Sequence, residues 1–318
     1  MKKILFIINP VSGRLTGQSL RQAIISELDG VLAHDSFDVE YSAQEGETGD
    51  HARFSDYEIV VVAGGDGTVS QVVKVIAGLE KKPKLGIIPI GTGNDLANSV
   101  GILQCYKSEG LGSLLQVILR SEVVKMDILS LNNRDVFSNY LGLGRDAKIS
   151  SDFHRLRFKP VSRAVCRCLS NKVFYGLLVL KSLFYWMSFD IEIEYKNQDF
   201  VTEVVSVTKG FCGILITNTK MYAGGVKLSS KCRMDDGKFE VTVIRGFREW
   251  FHMAYALLFK KPLDTISPKL IQFQTDRLVL KFTGETFCQV DGERYDNLAK
   301  GKEEISVSVV SSLEIIKA

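Results

Sequence analysis

The chain has 318 residues, 45% of them hydrophobic and 24% charged, enough for one large or two medium globular domains. A net charge of +3, with no basic block interleaved with aromatics and no zinc-ligand spacing, argues against nucleic acid as a partner. Six cysteines (Cys105, Cys166, Cys168, Cys212, Cys232 and Cys288) are scattered without a CxxC pair and read as reduced core thiols.

In chain order, the apolar run at 4–8 follows two lysines but is broken at once by Asn9-Pro10, which suits a first β-strand better than a leader. Residues 20–32 have the spacing of an amphipathic helix, 37–42 of a strand, 58–63 of a buried β-branched strand, 69–78 of a helix, 84–90 of a strand and 111–120 of a helix. This alternation predicts a parallel sheet covered by helices. From residue 125 the texture changes. Segments 127–131, 190–195, 201–208, 213–217, 239–245, 277–282 and 305–310 are short and turn-separated, with helical patterns near 155–187 and 247–260. The expected architecture is an α/β N-terminal domain over 1–125 and a β-rich second domain over 126–304. The most apolar stretch, 173–189, contains Lys181 and falls short of the ~20 residues a membrane span needs, so a soluble, cytoplasmic protein is expected.

Three of the early strands end in turns rich in Gly, Ser, Thr, Asn and Asp. They are Asn9-Pro10-Val11-Ser12-Gly13, Gly64-Gly65-Asp66-Gly67-Thr68 and Gly91-Thr92-Gly93-Asn94-Asp95. A strand that ends in glycines and opens into a helix points backbone N–H groups at whatever lies above it, a cradle for phosphate. Ligands of parallel α/β sheets bind beyond the carboxyl ends of the strands. Asp66 puts a carboxylate where an anion alone would not want one, which makes sense if Mg²⁺ bridges it to phosphates.

NPVSG, GGDGT and PIGTGNDLA, in this order, resemble the catalytic domain of the soluble diacylglycerol kinase and related lipid kinase family, which sphingosine and ceramide kinases share. The later blocks Ser138–Ala147 (SNYLGLGRDA), Met234-Asp235-Asp236-Gly237-Lys238-Phe239 and Asp291-Gly292-Glu293 extend the resemblance over nearly the whole chain. GGDGT alone is also similar to NAD kinases and phosphofructokinases. The resemblance implies the same two-domain division, an NAD kinase/phosphofructokinase-like first domain, residues 305–318 returning to that domain, and a lipid-binding second domain. It also implies ATP and Mg²⁺ as cofactors and a membrane lipid as substrate.

Phosphoryl transfer needs positioned phosphates, metal ions and an oriented hydroxyl nucleophile. The nucleotide contacts expected are Asn9, Ser12, Gly13 and Arg14 after the first strand, and Ser42, which reads equally as a turn residue. Gly64, Gly65, Asp66, Gly67, Thr68, Val69, Ser70 and Gln71 follow in the second turn, then Gly91, Thr92 and Asn94 in the third. Where relatives follow GGDGT with a hydrophobic residue and Asn-Glu, this chain has Val69-Ser70-Gln71, so the Glu charge is missing. The family match makes Glu293 the general base for the lipid hydroxyl, with Asp291 orienting it or sharing its metal network. Asp66, Asp95 and Asp127 are the other catalytic candidates. Asp95 reads also as a helix cap, and Asp127 also as a solvated strand end. The resemblance further implies a separate metal held by the Asp236 carboxylate and the backbone oxygens of Arg233 and Lys238; a simple turn explains those residues as well.

Arg155, Arg157, Lys159, Arg163, Arg167 and Lys172 fall in an acid-free stretch interleaved with apolar residues, which can dock on anionic headgroups or form a solvated helix face. Segment 250–261 is a second candidate for membrane contact, its alternative being core. The partners expected are therefore a membrane lipid, an anionic membrane surface and, as an assembly, a homodimer. The competing functions are an NAD kinase and a catalytically silent nucleotide- or lipid-binding regulator.

Overall fold

The structure, a computed structural model, describes residues 3–13, 16–33, 36–42, 51–157, 190–196, 201–207, 213–222, 225–267, 269–283, 286–295 and 304–318. Arg14, Cys166, Cys168, Cys212, Arg163, Arg167 and Lys172 lie outside these residues, as do the side chains of Arg155 and Arg157.

The N-terminal half is built as alternating strands and helices: β1 Ile4–Ile8, α1 Gly17–Leu28, β2 Phe37–Tyr41, β3 Ile59–Gly64, α2 Asp66–Ala77, β4 Lys84–Pro89, α3 Asp95–Ser99 and α4 Ile102–Arg120. Pairing of β1 with β2 and β3, and of β3 with β4, is parallel throughout. Every residue of β1 and β3 is buried, as near-continuous apolar runs covered on both faces must be. Helix α4 is longer than the spacing at 111–120 suggests. Two helical pieces are joined at Gly110, whose φ of 86° interrupts the regular turn.

The remainder comprises β5 Val123–Leu131, β6 Asp135–Phe137, β7 Tyr140–Gly144, α5 Arg145–Arg157, β8 Asp190–Lys196, β9 Thr202–Val207, β10 Gly213–Thr217, β11 Phe239–Ile244, α6 Phe247–Phe259, α7 Leu263–Ile266, β12 Ile271–Thr275, β13 Arg277–Thr283, β14 Cys288–Val290, β15 Glu293–Arg294 and β16 Glu304–Ile316. One sheet runs in the order β2-β1-β3-β4-β16-β13-β8-β9, with β5 and β6 branching from β16; a second, antiparallel sheet runs β12-β11-β10-β7-β14-β15. The last strand joins the halves. It is antiparallel to β13 at its start, parallel to β4 at Ile315 opposite Leu85, and antiparallel to β5 along most of its length. The alternating segment at 305–310 does not show this reach, because the register on β5 shifts at Val310, between Val309 and Ser311, and the alternation is broken there.

Three apolar clusters follow from this layering. The first fills the parallel sheet and its helices. The second lies between the inner faces of the two sheets, with Leu141, Leu143, Ile214 and Val241 against Ile193, Leu280 and Val307. A smaller one, including Leu215, Tyr222, Met253 and Ala256, packs α6 on the outer face of the antiparallel sheet. Cys105, Cys232 and Cys288 are buried, unbridged thiols, and burial pushes each of them above the ordinary thiol pKa. No helix among the described residues is long and apolar enough to cross a membrane.

Candidate active site

The parallel register brings three strand ends to one edge. Ile8 lies opposite Ala63, and Gly64 opposite Pro89, so the turns after β1, β3 and β4 emerge side by side. Asn9 ties the first two together. Its backbone N–H donates to Ala63 O at 2.9 Å and its side-chain Nδ2 to Thr68 Oγ1 at 2.7 Å, in the first turn of α2. Ser12 N donates back to Asn9 O, closing the first turn, and Ser42 N donates to Ile8 O at the same edge.

The second and third turns touch backbone to backbone. A Cβ on Gly91 would stand 2.4 Å from Gly65 Cα, so neither turn could carry a side chain at that contact without moving the other. Asn94, left-handed at φ 58°, closes the third turn on itself: Gly91 N donates to its Oδ1 at 3.1 Å, and its Nδ2 donates to Gly91 O at 2.7 Å. Asp66 holds that turn against α2. Its Oδ2 accepts from Asn94 N at 2.6 Å and its Oδ1 from Asp95 N at 2.8 Å. Burial pushes the Asp66 carboxyl above the ordinary range; the N–H groups of Asn94, Asp95 and Leu96 oppose this, and the charge of Asp291 adds to it. Asp66 and Asp291 therefore feel each other's charge across the glycine-lined turn. Among the described residues no group of three or more His, Cys, Asp and Glu could hold a metal ion by protein side chains alone.

The later acidic turn arrives from the antiparallel sheet. Val290 pairs with Glu293, leaving Asp291 and Gly292 as a two-residue hairpin loop with φ of 50° and 88°, the geometry that favours Asp-Gly. Asp291 is buried and fully engaged. Its Oδ1 accepts from Asn139 N at 2.9 Å and Tyr140 N at 3.1 Å, and its Oδ2 from Ser138 N at 3.2 Å and Ser70 Oγ at 2.7 Å. Glu293 is exposed, and its Oε1 lies 3.5 Å from where a Cβ on Gly67 would stand, over the first turn of α2. The structure thus brings Asp66, Gly67, Asp291 and Glu293 to one place from opposite ends of the chain.

Other expected residues have different surroundings. Val69 is buried in the first core and Ser70 is spent on Asp291, whereas Gln71 and Thr92 are exposed. Asp95 is buried at the start of α3. Asp127 is bound into the turn before β11: its N–H donates to Met234 O at 2.7 Å, and its Oδ2 accepts from Gly237 N at 2.7 Å. Burial, with Asp236 and Asp235 nearby, pushes its carboxyl up. In the same turn Asp236 Oδ1 accepts from Lys238 N at 3.1 Å, while Arg233 pairs with Asp235 at 3.0 Å.

Two arrangements carry no local signal. The consecutive N–H groups of Ser138, Asn139 and Tyr140 form the seat for Asp291, although that block stands out in the sequence only by resemblance. Asp146 is buried at the start of α5 and accepts hydrogen bonds from the Tyr222 hydroxyl and from Gln289 Nε2; burial pushes its carboxyl up to about 6 despite those bonds.

Comparisons with known proteins show which family the chain resembles over both halves. Residues 3–131 match the family model of the diacylglycerol kinase catalytic domain, and residues 136–294 match the diacylglycerol kinase accessory domain. A diacylglycerol kinase of Bacillus subtilis is 25% identical over 313 residues, covering 95% of this chain and 93% of that protein. The crystal structure of a diacylglycerol kinase from Bacillus anthracis superposes with a TM-score of 0.69 at 18% identity, covering 100% of this chain and 97% of that one. An NAD kinase from Archaeoglobus fulgidus in complex with ATP shares the fold at a TM-score of 0.53 and 13% identity, covering 99% and 93% of the two chains. Two adjacent family matches, spanning the parallel-sheet half and the antiparallel sheet that delivers Glu293, establish that this chain belongs to the diacylglycerol kinase family of lipid kinases.

Proposed function

We propose that the protein transfers the γ-phosphoryl group of ATP to the free hydroxyl of a membrane lipid, diacylglycerol or a close relative. The observation that carries this reading is the position of Glu293: a carboxylate from the antiparallel sheet hangs over Gly67, at the N-terminus of α2, where a phosphate would be cradled. A base there faces the phosphoryl donor from the side on which an acceptor must arrive.

In this reading the turn of Gly64, Gly65 and Gly67 cradles the phosphates and the exposed Thr92 offers its hydroxyl, while Gly91 and Asn94, whose N–H groups are taken by Asn94 Oδ1 and Asp66 Oδ2, shape the third turn beside it. Asn9, Ser12, Gly13 and Ser42 line the nucleotide along the neighbouring strand ends, and Arg14 follows them in sequence. Mg²⁺ would be held by Asp66 with Asp95 and would neutralise the charge on the phosphates. Glu293 accepts the proton of the lipid hydroxyl as its oxygen bonds to the γ-phosphorus, while the bond from that phosphorus to the β–γ bridging oxygen breaks and ADP leaves. Asp291, held by four donors, positions the turn that carries Glu293 rather than reacting itself. Asp127 we assign to holding the 234–237 turn, and Asp236 with the carbonyls of Arg233 and Lys238 to a second, structural cation there. The catalytic unit is 1–125 with the end of β16; 126–304 receives the lipid.

The test is a panel assay of the full chain with γ-labelled ATP and Mg²⁺ against diacylglycerol, phosphatidylglycerol, a sphingoid base, a polyprenol and NAD. Label in the lipid extract with diacylglycerol is the expected result. Label on NAD, or on nothing, overturns the reading.

A further inference from the structure

Helix α6 carries large aromatic side chains on its solvent face. Phe251 is 65% exposed, Tyr255 43% and Phe259 58%, at the i, i+4, i+8 spacing that places them in one line. The rings of Tyr255 and Phe259 stack with centroids 4.3 Å apart, and Phe251 extends the ridge one turn toward the helix start. The opposite face is already satisfied: Met253 and Ala256 are buried in the outer cluster of the antiparallel sheet, with Trp250 packed against it. Exposed aromatics arranged in a ridge on a helix whose other face is core call for an occupant.

The charge around the ridge identifies that occupant. Arg245, Arg248, Lys260 and Lys261 are exposed at the two ends of the helix, and the only acid between 245 and 261 is Glu249, so the segment carries four positive charges against one negative. The Glu249 carboxylate is turned back onto the helix start, accepting from Gly246 N at 3.0 Å. A second copy of the chain would meet the same four cations, and a ridge of three side chains is narrow against the roughly 800 Å² per partner of a stable protein interface. An anionic bilayer supplies the opposite charge and an interfacial layer in which aromatic rings are favourably placed. The ridge is also linked to the proposed acceptor side of the active site. Tyr140 packs on the cluster that α6 covers, its ring is 5.0 Å from that of Tyr222, and its hydroxyl lies 3.4 Å from where a Cβ on Gly292 would stand, beside Glu293.

We propose that Phe251, Tyr255 and Phe259 insert into the interface of an anionic membrane, with Arg245, Arg248, Lys260 and Lys261 on the headgroups, and that this seats the lipid-accepting side of the protein on its substrate's bilayer. The inference rests on the lipid-kinase reading for its purpose but not for its measurement. In the full chain, Phe251→Trp provides a reporter whose emission is quenched by brominated lipids only if the side chain enters the bilayer. Quenching above that of the parent chain in phosphatidylglycerol vesicles is expected. The triple variant Phe251→Ser, Tyr255→Ser, Phe259→Ser should weaken co-sedimentation with those vesicles roughly tenfold or more, and turnover of vesicle-borne diacylglycerol with it, while turnover of a short-chain soluble diacylglycerol is kept. Lys260→Ser with Lys261→Ser should cost roughly fivefold per charge in binding, an effect that disappears at high salt. Absence of added quenching, with unchanged sedimentation of the triple variant, overturns the proposal. So does conversion of a dimer to a monomer by the triple variant without quenching, which would make the ridge a contact between copies. Quenching without phosphorylation of any lipid would leave the docking surface standing and overturn the kinase reading instead.

Discussion

Ser70, four residues into α2, donates its hydroxyl to Asp291 Oδ2 at 2.7 Å across 221 residues of sequence. One end of that bond belongs to the helix of the glycine turn and the other to the hairpin that carries Glu293. The bond therefore sets how far the proposed base stands from the phosphate cradle. Ser70→Ala leaves a buried carboxylate short of one donor, and a loss of about 1–3 kcal/mol in denaturant-measured stability is expected. Turnover should fall further than ATP affinity, because the turn that loosens is the one facing the acceptor. Equal losses in both would place Ser70 on the nucleotide.

Glu293→Gln separates chemistry from binding. A general base acts on the acceptor hydroxyl, so turnover should drop by roughly 10²–10⁴-fold. ATP affinity, followed by calorimetry, should stay near that of the parent. Parallel loss of ATP affinity would assign Glu293 to the metal.

Asp66 has two duties, and two substitutions distinguish them. Its carboxylate seats the N–H groups of Asn94 and Asp95. Asp66→Ala should therefore abolish kinase activity and also cost about 1–3 kcal/mol of stability. Asp66→Asn retains an acceptor for one of those N–H groups, so it should recover part of the stability and none of the Mg²⁺-dependent turnover. Near-parental turnover in either variant would remove Asp66 from the site.

Gly91→Ala tests the close approach of the two glycine turns. A methyl group there would stand 2.4 Å from Gly65 Cα, and backbone must move to admit it. ATP binding should weaken by roughly tenfold or more while the far sheet stays folded, as hydrogen exchange of β10 and β11 would report. Unchanged ATP affinity would mean that this contact lies outside the nucleotide site.

Asp146 predicts a pH dependence. Its carboxyl is pushed from an ordinary 3.8 up to about 6 by burial, so the folded state holds this proton more tightly than the unfolded one. The resulting stabilisation is fully present below pH 3.8 and is lost as pH rises through about 6, an effect on the order of 3 kcal/mol. Asp146→Asn should flatten the difference in melting stability between about pH 4 and about pH 8. A variant as pH-dependent as the parent would point to another group.

The class of the fold and the sheet edge that holds the candidate site follow from signals within single segments. The apolar runs of β1, β3 and β4 and the glycines that end them are local signals, since a buried strand and a tight turn each restrict the residues that can occupy them. Asp66 and Asn94 stand out for the same reason, as polar residues inside glycine turns whose chemistry is short-range, whereas Glu293 is singled out only by the family resemblance. Which turns meet follows from no single segment and is set by the packing of distant ones. Asp127 belongs with Gly237, Ser70 with Asp291, and Tyr222 and Gln289 with Asp146, pairings separated by 76 to 221 residues. The length of β16 and its place in the large sheet between β4 and β13 have no local signal either, because its pattern is set by partners in both halves of the chain. Hydrogen bonding between distant segments imposes no periodicity on either one. A serine that completes a buried carboxylate's shell looks, in sequence, like any other serine on a helix.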